Sequence, residues 1–427
     1  MPDEACIDVA DTPTRRTPRK AKPDGATGVV LVITALEYGG AERQLVQLAL
    51  GLTDRGFRVE VIALRAGGAL AGELQRQGVP VRALGGRSIL DKALFPMRLV
   101  AALRGHRPVV VYGFLPAATV PLALLRPLYS PVVLLLGVRS SALVPQHYGA
   151  PTRAMIRLEP ALARFADAVV CNSYAGADDA RARGMPPDRL MVVPNGVDTD
   201  RFRPDPDLRA AFRGELGVDG ATTVVGLVGR VHPMKGHDVF LRAAARLRAG
   251  ASAGERYVFV CVGDGDGALR REMERLAGAL ELGDRELRWL PGRSDPEVVL
   301  NGLDLLVSAS VASEGTANVV LEAMACGTRC VATDVGDAAR IVPPELGIVV
   351  PPGNPEVLAA ACRSVLRRPF DAEVATRLRR HVVASYATST MVTRTTEIIE
   401  DILAARSVRT PRGDAGDRRA PRPGARR

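Results

Sequence analysis

The sequence contains no long apolar run. Residues 132–138 are mostly apolar but too few to cross a bilayer, and a longer run that begins at Thr119 is interrupted by three prolines and one arginine. Residues 1–24 also lack the apolar segment of a signal peptide. We therefore expect neither a membrane span nor a leader, and we predict a cytoplasmic protein with a disordered N-terminal arm over residues 1–27.

Cysteine is scarce, and the sequence shows no metal site. Of six cysteines only Cys326 and Cys330 lie close together, and no second Cys or His pair completes a zinc-binding pattern. Scattered cysteines in so long a chain are typical of reduced, buried thiols. Three Asp-x-Asp triplets, beginning at Asp198, Asp205 and Asp264, lie among Gly and Pro residues and predict turns. We expect no metal and no other cofactor.

Positive charge is not spread over the whole chain. The formal net charge is +10, and residues 406–427 contribute eight Arg and two Asp, a net +6. The remaining body is only mildly basic, so we expect no nucleic-acid partner. Because residues 406–427 are also rich in Pro, Gly and Ala, we predict a basic, disordered tail there.

Strand-like and helix-like segments alternate twice along the chain. Alternation over residues 28–194 predicts a parallel, doubly wound sheet, and a second series over residues 222–385 predicts another. Residues 195–221, in which Pro and Gly recur, predict an interdomain connection without a long regular element. Residues 386–405 predict a closing helix. The predicted fold class is α/β, with two Rossmann-like domains facing each other across a cleft.

The most informative segment is residues 308–337. Glu314 follows an apolar strand, and residues 318–320 (Asn-Val-Val) begin a helix that carries Glu322. A helix N-terminus presents unpaired backbone N–H groups and the positive end of the helix dipole, so it can hold a diphosphate without a metal. The two carboxylates that flank it can accept hydrogen bonds from sugar hydroxyls.

Two turns complete the predicted phosphate site. Residues 229–236 carry Arg230 and Lys235 after an apolar strand, where they can stabilise the charge of a departing nucleoside diphosphate in place of a divalent cation. Gly39 and Gly40, between the first strand and helix, allow backbone amides to approach phosphate or acceptor. Arg230 and Lys235 alone are more typical of a solvated surface turn, and the glycine pair alone fits a plain tight turn equally well.

These segments together resemble glycosyltransferase family 4, the retaining enzymes with the GT-B fold. Their signature is two glutamates separated by seven residues, as Glu314 and Glu322 are, and the resemblance extends over roughly residues 28–385. It implies that Glu314 contacts the donor sugar and Glu322 the ribose, while Arg230 and Lys235 grip the donor diphosphate. It also implies that the loop at Gly39 and Gly40 lines the cleft opposite the diphosphate.

One feature of the family is missing. Many members have a histidine in the loop after the fourth strand, whereas residues 111–118 contain none. Either this chain works without that group, or another residue such as Arg139 or His147 supplies the contact to sugar or acceptor.

The resemblance predicts a retaining hexosyltransferase that uses a UDP- or GDP-sugar and a glycan or lipid-linked acceptor, in cell-surface polysaccharide or glycoconjugate synthesis. Glu314, Arg230 and Lys235 are the predicted catalytic residues, and Asn318, Val319, Val320, Glu322, Gly39 and Gly40 are predicted to bind the donor with them. A non-catalytic or epimerase-type GT-B protein that binds a nucleotide sugar remains the alternative. A nicotinamide oxidoreductase is disfavoured because the first strand and turn contain no G-x-G-x-x-G.

Two segments of the first domain mix basic with apolar residues, namely 87–107 and 153–164. This composition predicts peripheral contact with the inner face of a membrane, where a lipid-linked acceptor would lie. The same composition also fits helices that pack on the core.

Overall fold

The structure, a computed structural model, describes residues 27–85, 89–106, 108–129, 132–141 and 149–409. Residues 1–26 of the predicted arm, His147 and residues 410–427 of the predicted tail lie outside the described residues.

The first sheet contains seven parallel strands in the order β3-β2-β1-β4-β5-β6-β7. These strands are β1 (Gly28–Ile33), β2 (Arg58–Ala63), β3 (Val81–Ala83), β4 (Val110–Phe114), β5 (Val133–Val138), β6 (Ala168–Cys171) and β7 (Leu190–Val192). The order reverses between β1 and β4, so the loops after these two strands diverge and leave a crevice at their carboxyl ends.

Helices cover both faces of this sheet. They are α1 (Gly40–Asp54), α2 (Ala69–Arg76), α3 (Ile89–His106), α4 (Pro116–Tyr129), α5 (Ala150–Ala163) and α6 (Tyr174–Ala182). Side chains of α1 and α2 pack on one face, and those of α3 to α6 pack on the other.

Burial on two faces explains why β1 is apolar throughout. Val29, Leu31 and Ile33 belong to the core beneath α1, whereas Val30 and Val32 belong to the core on the opposite face. Successive side chains of a strand point to opposite faces, so a strand covered on both sides must be apolar at every position.

The second sheet contains six parallel strands in the order β10-β9-β8-β11-β12-β13. They are β8 (Thr222–Val228), β9 (Arg256–Val262), β10 (Leu287–Leu290), β11 (Leu305–Ser308), β12 (Arg329–Thr333) and β13 (Gly347–Val350). The helices around it are α7 (Pro206–Leu216), α8 (His237–Ala249), α9 (Gly267–Ala279), α10 (Pro296–Gly302), α11 (Asn318–Ala325), α12 (Ala338–Ile341), α13 (Pro355–Arg367) and α14 (Ala372–Tyr386). The prediction of two doubly wound α/β domains is confirmed.

The interdomain connection is more regular than predicted. Helix α7 lies within residues 195–221 and packs against α10. The Asp205 carboxylate accepts bonds from the N–H groups of Asp207 and Leu208, Pro206 stands in the first turn, and Phe212 is fully buried. The Pro and Asp residues that suggested irregular chain are therefore the start of a helix, because both residue types favour helix N-termini.

The chain crosses between the domains twice, and the two crossings are hydrogen-bonded to each other. The Val197 N–H donates to the Tyr386 carbonyl at 2.8 Å, and the Thr388 N–H donates to the Val197 carbonyl at 2.9 Å. After the second crossing, α15 (Thr388–Arg409) returns to the first domain. The closing helix is thus part of the N-terminal core, to which Met391 and Val392 contribute.

The predicted boundary of the basic tail is four residues too early. Helix α15 continues to Arg409. The Arg406 guanidinium donates to the Asp167 carboxylate at 2.7 Å, which ties the end of the helix to the first domain. Among the described residues, no helix combines the length and hydropathy that a bilayer crossing requires.

Candidate active site

A cleft of about 410 Å³ lies between the carboxyl ends of the two sheets. Eight of the nine predicted site residues line it: Gly39, Gly40, Arg230, Lys235, Glu314, Asn318, Val319 and Glu322. Val320 does not. Its side chain is 1% exposed and lies in the core of the second domain, and its N–H donates to the Ala317 carbonyl at 3.1 Å.

Glu314 and Lys235 are in direct contact. The Lys235 ammonium donates to Glu314 Oε1, and Ser310 Oγ donates to the same oxygen at 2.7 Å. The Lys235 side chain is 31% exposed and the Glu314 side chain 15% exposed. The pair is therefore reachable from the cleft, and each charge neutralises the other.

Backbone geometry requires glycine beside Lys235. Gly236 has φ of 63°, and a Cβ at this position would lie 2.0 Å from the Ala309 carbonyl oxygen. The close approach brings the turn that carries Lys235 against the chain that follows β11. Since Glu314 lies on that chain, the glycine brings the two charged residues together.

The N-terminus of α11 faces the cleft, and no side chain caps it. Ala317 occupies the N-cap position, whereas Asp266, Asn354 and Asp371 cap α9, α13 and α14 of the same domain through their side chains. First-turn N–H groups that lack a capping side chain are suitable donors to an anionic ligand.

Glu322 lies one turn further along α11. Its carboxylate is 3.5 Å from the Arg43 guanidinium, which reaches across the cleft from α1. Burial raises the pKa of Glu322, and Arg43 opposes this shift because a nearby cation favours the ionised carboxylate.

The two glycines of the first loop lie opposite α11. A Cβ at residue 39 would lie 2.2 Å from Glu42 Oε2, and a Cβ at residue 40 would lie 3.2 Å from Asn318 Nδ2. Burial raises the pKa of Glu42, while Arg230 opposes the shift. The absence of a side chain at Gly40 therefore lets the start of α1 approach the start of α11, whereas at Gly39 it leaves room for the Glu42 carboxylate.

The first domain contributes Arg139, Ser140, Asn172 and Asn195 to one side of the cleft, which we call the N-terminal wall. Arg139 is one of the two residues that the sequence offered as a substitute for the missing histidine. Arg139, directly after β5, lines the cleft. Its Nη2 donates to the Tyr112 hydroxyl at 2.6 Å, and its Cζ lies 3.9 Å from the Phe114 ring centre. Burial lowers the pKa of Arg139, with Tyr112 opposing.

Three other residues of this wall were not predicted, because they lie outside the segments that the sequence assigned to the donor site. Ser140, Asn172 and Asn195 line the cleft as well. Asn195 Nδ2 donates to Asn318 Oδ1 at 2.8 Å and thereby joins the end of the first domain to α11. Asn195 belongs to the Pro-Asn-Gly segment after β7, which was the only sequence signal for it.

The domains are in contact beside the cleft. The Ser141 hydroxyl donates to the Glu314 carbonyl, and the Thr316 hydroxyl donates to the Asn172 carbonyl. The Asp337 carboxylate accepts one bond from each of the first two N–H groups of α6, both at 2.8 Å. Burial raises the pKa of Asp337, and these two bonds oppose the shift.

Aspartates of the Asp-x-Asp triplets accept hydrogen bonds from backbone N–H groups of turns and helix starts. Asp198 Oδ1 accepts bonds from two following N–H groups, Asp205 caps α7, and Asp266 caps α9. Within the part of the chain that the structure describes, no group of three His, Cys, Asp or Glu residues is arranged to hold a metal ion.

Comparison with known proteins identifies the family of the chain. Residues 38–201 match the family model described as Glycosyltransferase Family 4, and residues 222–368 match the model described as Glycosyl transferases group 1. The chain is 33% identical over 392 residues to a D-inositol 3-phosphate glycosyltransferase of Geodermatophilus obscurus, covering 83% of this chain and 85% of that protein. It is 32% identical over 356 residues to a protein of the same name from Rhodococcus jostii, covering 78% of each.

Solved structures show the same fold. The Anabaena protein HepE in complex with UDP and glucose superimposes with a TM-score of 0.77 at 23% identity, covering 88% of this chain and 100% of that one. WaaG, a glycosyltransferase involved in lipopolysaccharide biosynthesis, superimposes with a TM-score of 0.66 at 19% identity, covering 87% of this chain and 99% of that one. With two doubly wound domains, matches to both family models and these relatives, the chain belongs to glycosyltransferase family 4 and is a glycosyltransferase with the GT-B fold.

Proposed function

We propose that the chain is a retaining, metal-independent hexosyltransferase that uses a UDP- or GDP-sugar. The observation that carries the proposal is the convergence of Lys235, Glu314 and the uncapped start of α11 on one cleft. Two cationic side chains, Arg230 and Lys235, and a helix N-terminus supply the positive field that a diphosphate needs. Glu314 supplies an acceptor for the hydroxyls of the donor sugar.

The proposed reaction proceeds on one face of the sugar. The bond between the sugar anomeric carbon and the diphosphate oxygen breaks, and the acceptor hydroxyl oxygen bonds to the same face of that carbon. The acceptor proton passes to the departing phosphate oxygen, so no protein nucleophile is required. Arg230, Lys235 and the N–H groups of α11 stabilise the negative charge that develops on the leaving group.

The acceptor is proposed to meet the N-terminal wall. A glycan or lipid-linked acceptor of cell-surface polysaccharide or glycoconjugate synthesis is one class. The names of the two relatives supply a second class, a phosphorylated cyclitol. Arg139 favours an acceptor with a negative charge in either class, because it brings a guanidinium to this wall.

A membrane surface is the proposed location of a lipid-linked acceptor. Helices α3, α4 and α5 lie side by side on one face of the first domain. Their exposed apolar side chains are Met97, Leu124, Leu128 and Leu158, and their exposed arginines include Arg104 and Arg157. We call these six residues the α3–α5 face. Apolar side chains interspersed with arginines suit the inner face of an anionic membrane.

The central experiment assays purified protein with UDP- and GDP-hexoses in EDTA. Release of nucleoside diphosphate, followed with and without candidate acceptors, identifies the donor, and proton NMR of the first product identifies its anomeric configuration. The proposal expects turnover without metal and retained configuration. Inverted configuration, or activity only after a divalent cation is restored, would contradict it.

The membrane proposal is tested separately by sedimentation with phosphatidylglycerol vesicles. The double variant Leu124→Gln/Leu128→Gln should pellet several-fold less protein than the wild type. The matched control is Phe370→Gln, an equally exposed apolar residue on the second domain. Equal pelleting of all three proteins, or of none, would contradict the proposal that the α3–α5 face binds a membrane.

A further inference from the structure

Arg139 is a cation at the cleft, and no carboxylate of the described residues forms an ion pair with it. Among the described residues, its only side-chain hydrogen bond is to the Tyr112 hydroxyl at 2.6 Å. Its Nε is buried and has no hydrogen-bond partner within the part of the chain that the structure describes. The guanidinium lies over two aromatic rings, with Cζ 3.9 Å from the Phe114 ring centre and 5.5 Å from that of Tyr112.

An arginine in this position needs an anion. A buried charge without a counter-charge is costly, and arginine cannot relieve the cost by losing its proton at physiological pH. Aromatic faces recover part of the lost hydration energy, yet they leave the N–H groups unsatisfied. A phosphate or carboxylate would satisfy several donors of the planar guanidinium at once.

The donor diphosphate is not the best candidate for this anion. Arg230, Lys235 and the start of α11 belong to the second domain and form the proposed diphosphate site. Arg139 belongs to the first domain, where it follows β5 and lies beside the end of β4. It is held in place by its own wall, since Asn172 Nδ2 donates to its carbonyl at 3.3 Å.

We propose that Arg139 forms an anion subsite that binds a phosphate of the acceptor. The subsite extends the proposed function and rests on it, because it presumes that a nucleotide sugar occupies the opposite wall. Arg139 provides the charge and its Nη donors, and the Tyr112 hydroxyl holds the guanidinium over the Phe114 ring. The phosphate can belong to a phosphorylated polyol or to the phosphate-linked lipid of a lipid-borne sugar.

The test begins with the protein saturated with UDP or GDP, whichever binds, so that the diphosphate site is filled. Inorganic phosphate is then titrated into the wild type, Arg139→Gln, Arg139→Lys and the control Arg76→Gln, an exposed arginine of α2. Loss of a charged hydrogen-bonding pair weakens binding by about tenfold or more. Arg139→Gln should show this loss, Arg139→Lys a smaller one because its point charge lacks the fork, and Arg76→Gln none. Nucleotide affinity should change less than twofold in all of them.

Two results would overturn the subsite. Phosphate that binds the wild type and Arg139→Gln equally, or neither, removes the anion site. A loss of nucleotide affinity in Arg139→Gln as large as the loss for phosphate places Arg139 on the donor diphosphate. Absence of nucleotide binding in the wild type is a different failure, because it contradicts the proposed function.

Two further arms identify the source of the anion. Transfer to D-inositol 3-phosphate is compared with transfer to a polyprenyl-diphosphate-linked sugar, and the preferred acceptor should lose turnover in Arg139→Gln while Arg76→Gln keeps it. Affinity for UDP-glucose is compared with affinity for UDP-glucuronate. If Arg139→Gln abolishes a preference for the glucuronate, the anion belongs to the donor sugar, and the assignment to the acceptor is wrong.

Discussion

The two walls of the cleft hold their charges differently. On the C-terminal wall, Lys235 contacts Glu314, and Glu322 is matched by Arg43 from across the cleft. On the N-terminal wall, Arg139 rests on aromatic rings. The first arrangement fits a ligand that carries both hydroxyls and a diphosphate, because carboxylates can accept bonds from hydroxyls while cations bind the diphosphate. The second arrangement fits an anion, because no carboxylate in the described segments pairs with the guanidinium.

The largest expected effect is on the C-terminal wall. Glu314→Gln keeps the shape of the side chain but removes the charge that pairs with Lys235. We expect transfer to fall by about 10²–10³-fold, the usual cost of removing one group that acts on the transition state. Affinity for the bare nucleotide should change little.

Donor hydrolysis and transfer assays measure this effect, with Glu345→Gln, an exposed glutamate outside the cleft, as the control. Wild-type turnover in Glu314→Gln would show that the pairing with Lys235 has no part in catalysis.

A smaller effect is expected from Glu322→Ala. The variant removes the carboxylate proposed to accept hydrogen bonds from the ribose, so nucleotide affinity should weaken by about 10–100-fold. Calorimetry with UDP and GDP measures the change. If affinity is retained while transfer is lost, the roles of the two glutamates must be exchanged.

Contact between the walls is tested by Asp337→Ala, which removes two bonds to the N-terminus of α6. The matched control is Asp371→Ala, because Asp371 caps α14 within one domain. Loss of either cap should cost about 1 kcal/mol of folding stability and lower the melting temperature. Only Asp337→Ala should also enlarge the radius of gyration in X-ray scattering, and an equal radius in both variants would count against an interdomain latch.

The smallest effect concerns pH. Because burial raises the pKa of Glu322, nucleotide affinity should fall as pH drops through that pKa and the carboxylate gains a proton. Arg43→Met removes the opposing cation, so the loss should begin at higher pH. Calorimetric titrations between pH 5 and 8 would reveal the displaced pH dependence of nucleotide affinity. Superimposable profiles of the two proteins would show that Arg43 does not affect the protonation of Glu322.

The raised pKa of Glu322 changes folding stability with pH in the opposite direction to nucleotide affinity. A carboxyl whose pKa is raised in the folded state stabilises the fold at pH below its unfolded pKa, and this contribution is lost as pH rises through the folded pKa. The unliganded protein should therefore gain stability from Glu322 in acid, where the nucleotide binds less well. Melting temperatures of the wild type and Glu322→Gln between pH 5 and 8 measure this contribution. The wild type should lose stability relative to Glu322→Gln as the pH rises.

The C-terminal wall was readable from sequence because its chemistry lies in short, contiguous segments. Glu314, Asn318 and Glu322 follow one another on a loop and helix, and Arg230 and Lys235 share one turn. Val320 was misplaced among the lining residues because the helical period turns it into the core.

The interdomain contacts were not readable, since Asp337 and Tyr174 are 163 residues apart. Local chemistry misled in one helix. Proline at the start of α7 was read as a break. The role of Arg139 stayed open because its environment comes from β4, and only the folded sheet brings Phe114 beneath it.

Calorimetric titration of UDP, GDP and ADP in EDTA, into the wild type and Glu322→Ala, tests the central claim most directly. The account predicts that UDP or GDP binds the wild type without metal and that the variant loses this affinity by at least about tenfold. Absence of binding by any nucleotide, or equal binding to both proteins, would contradict a metal-free donor site on the C-terminal wall.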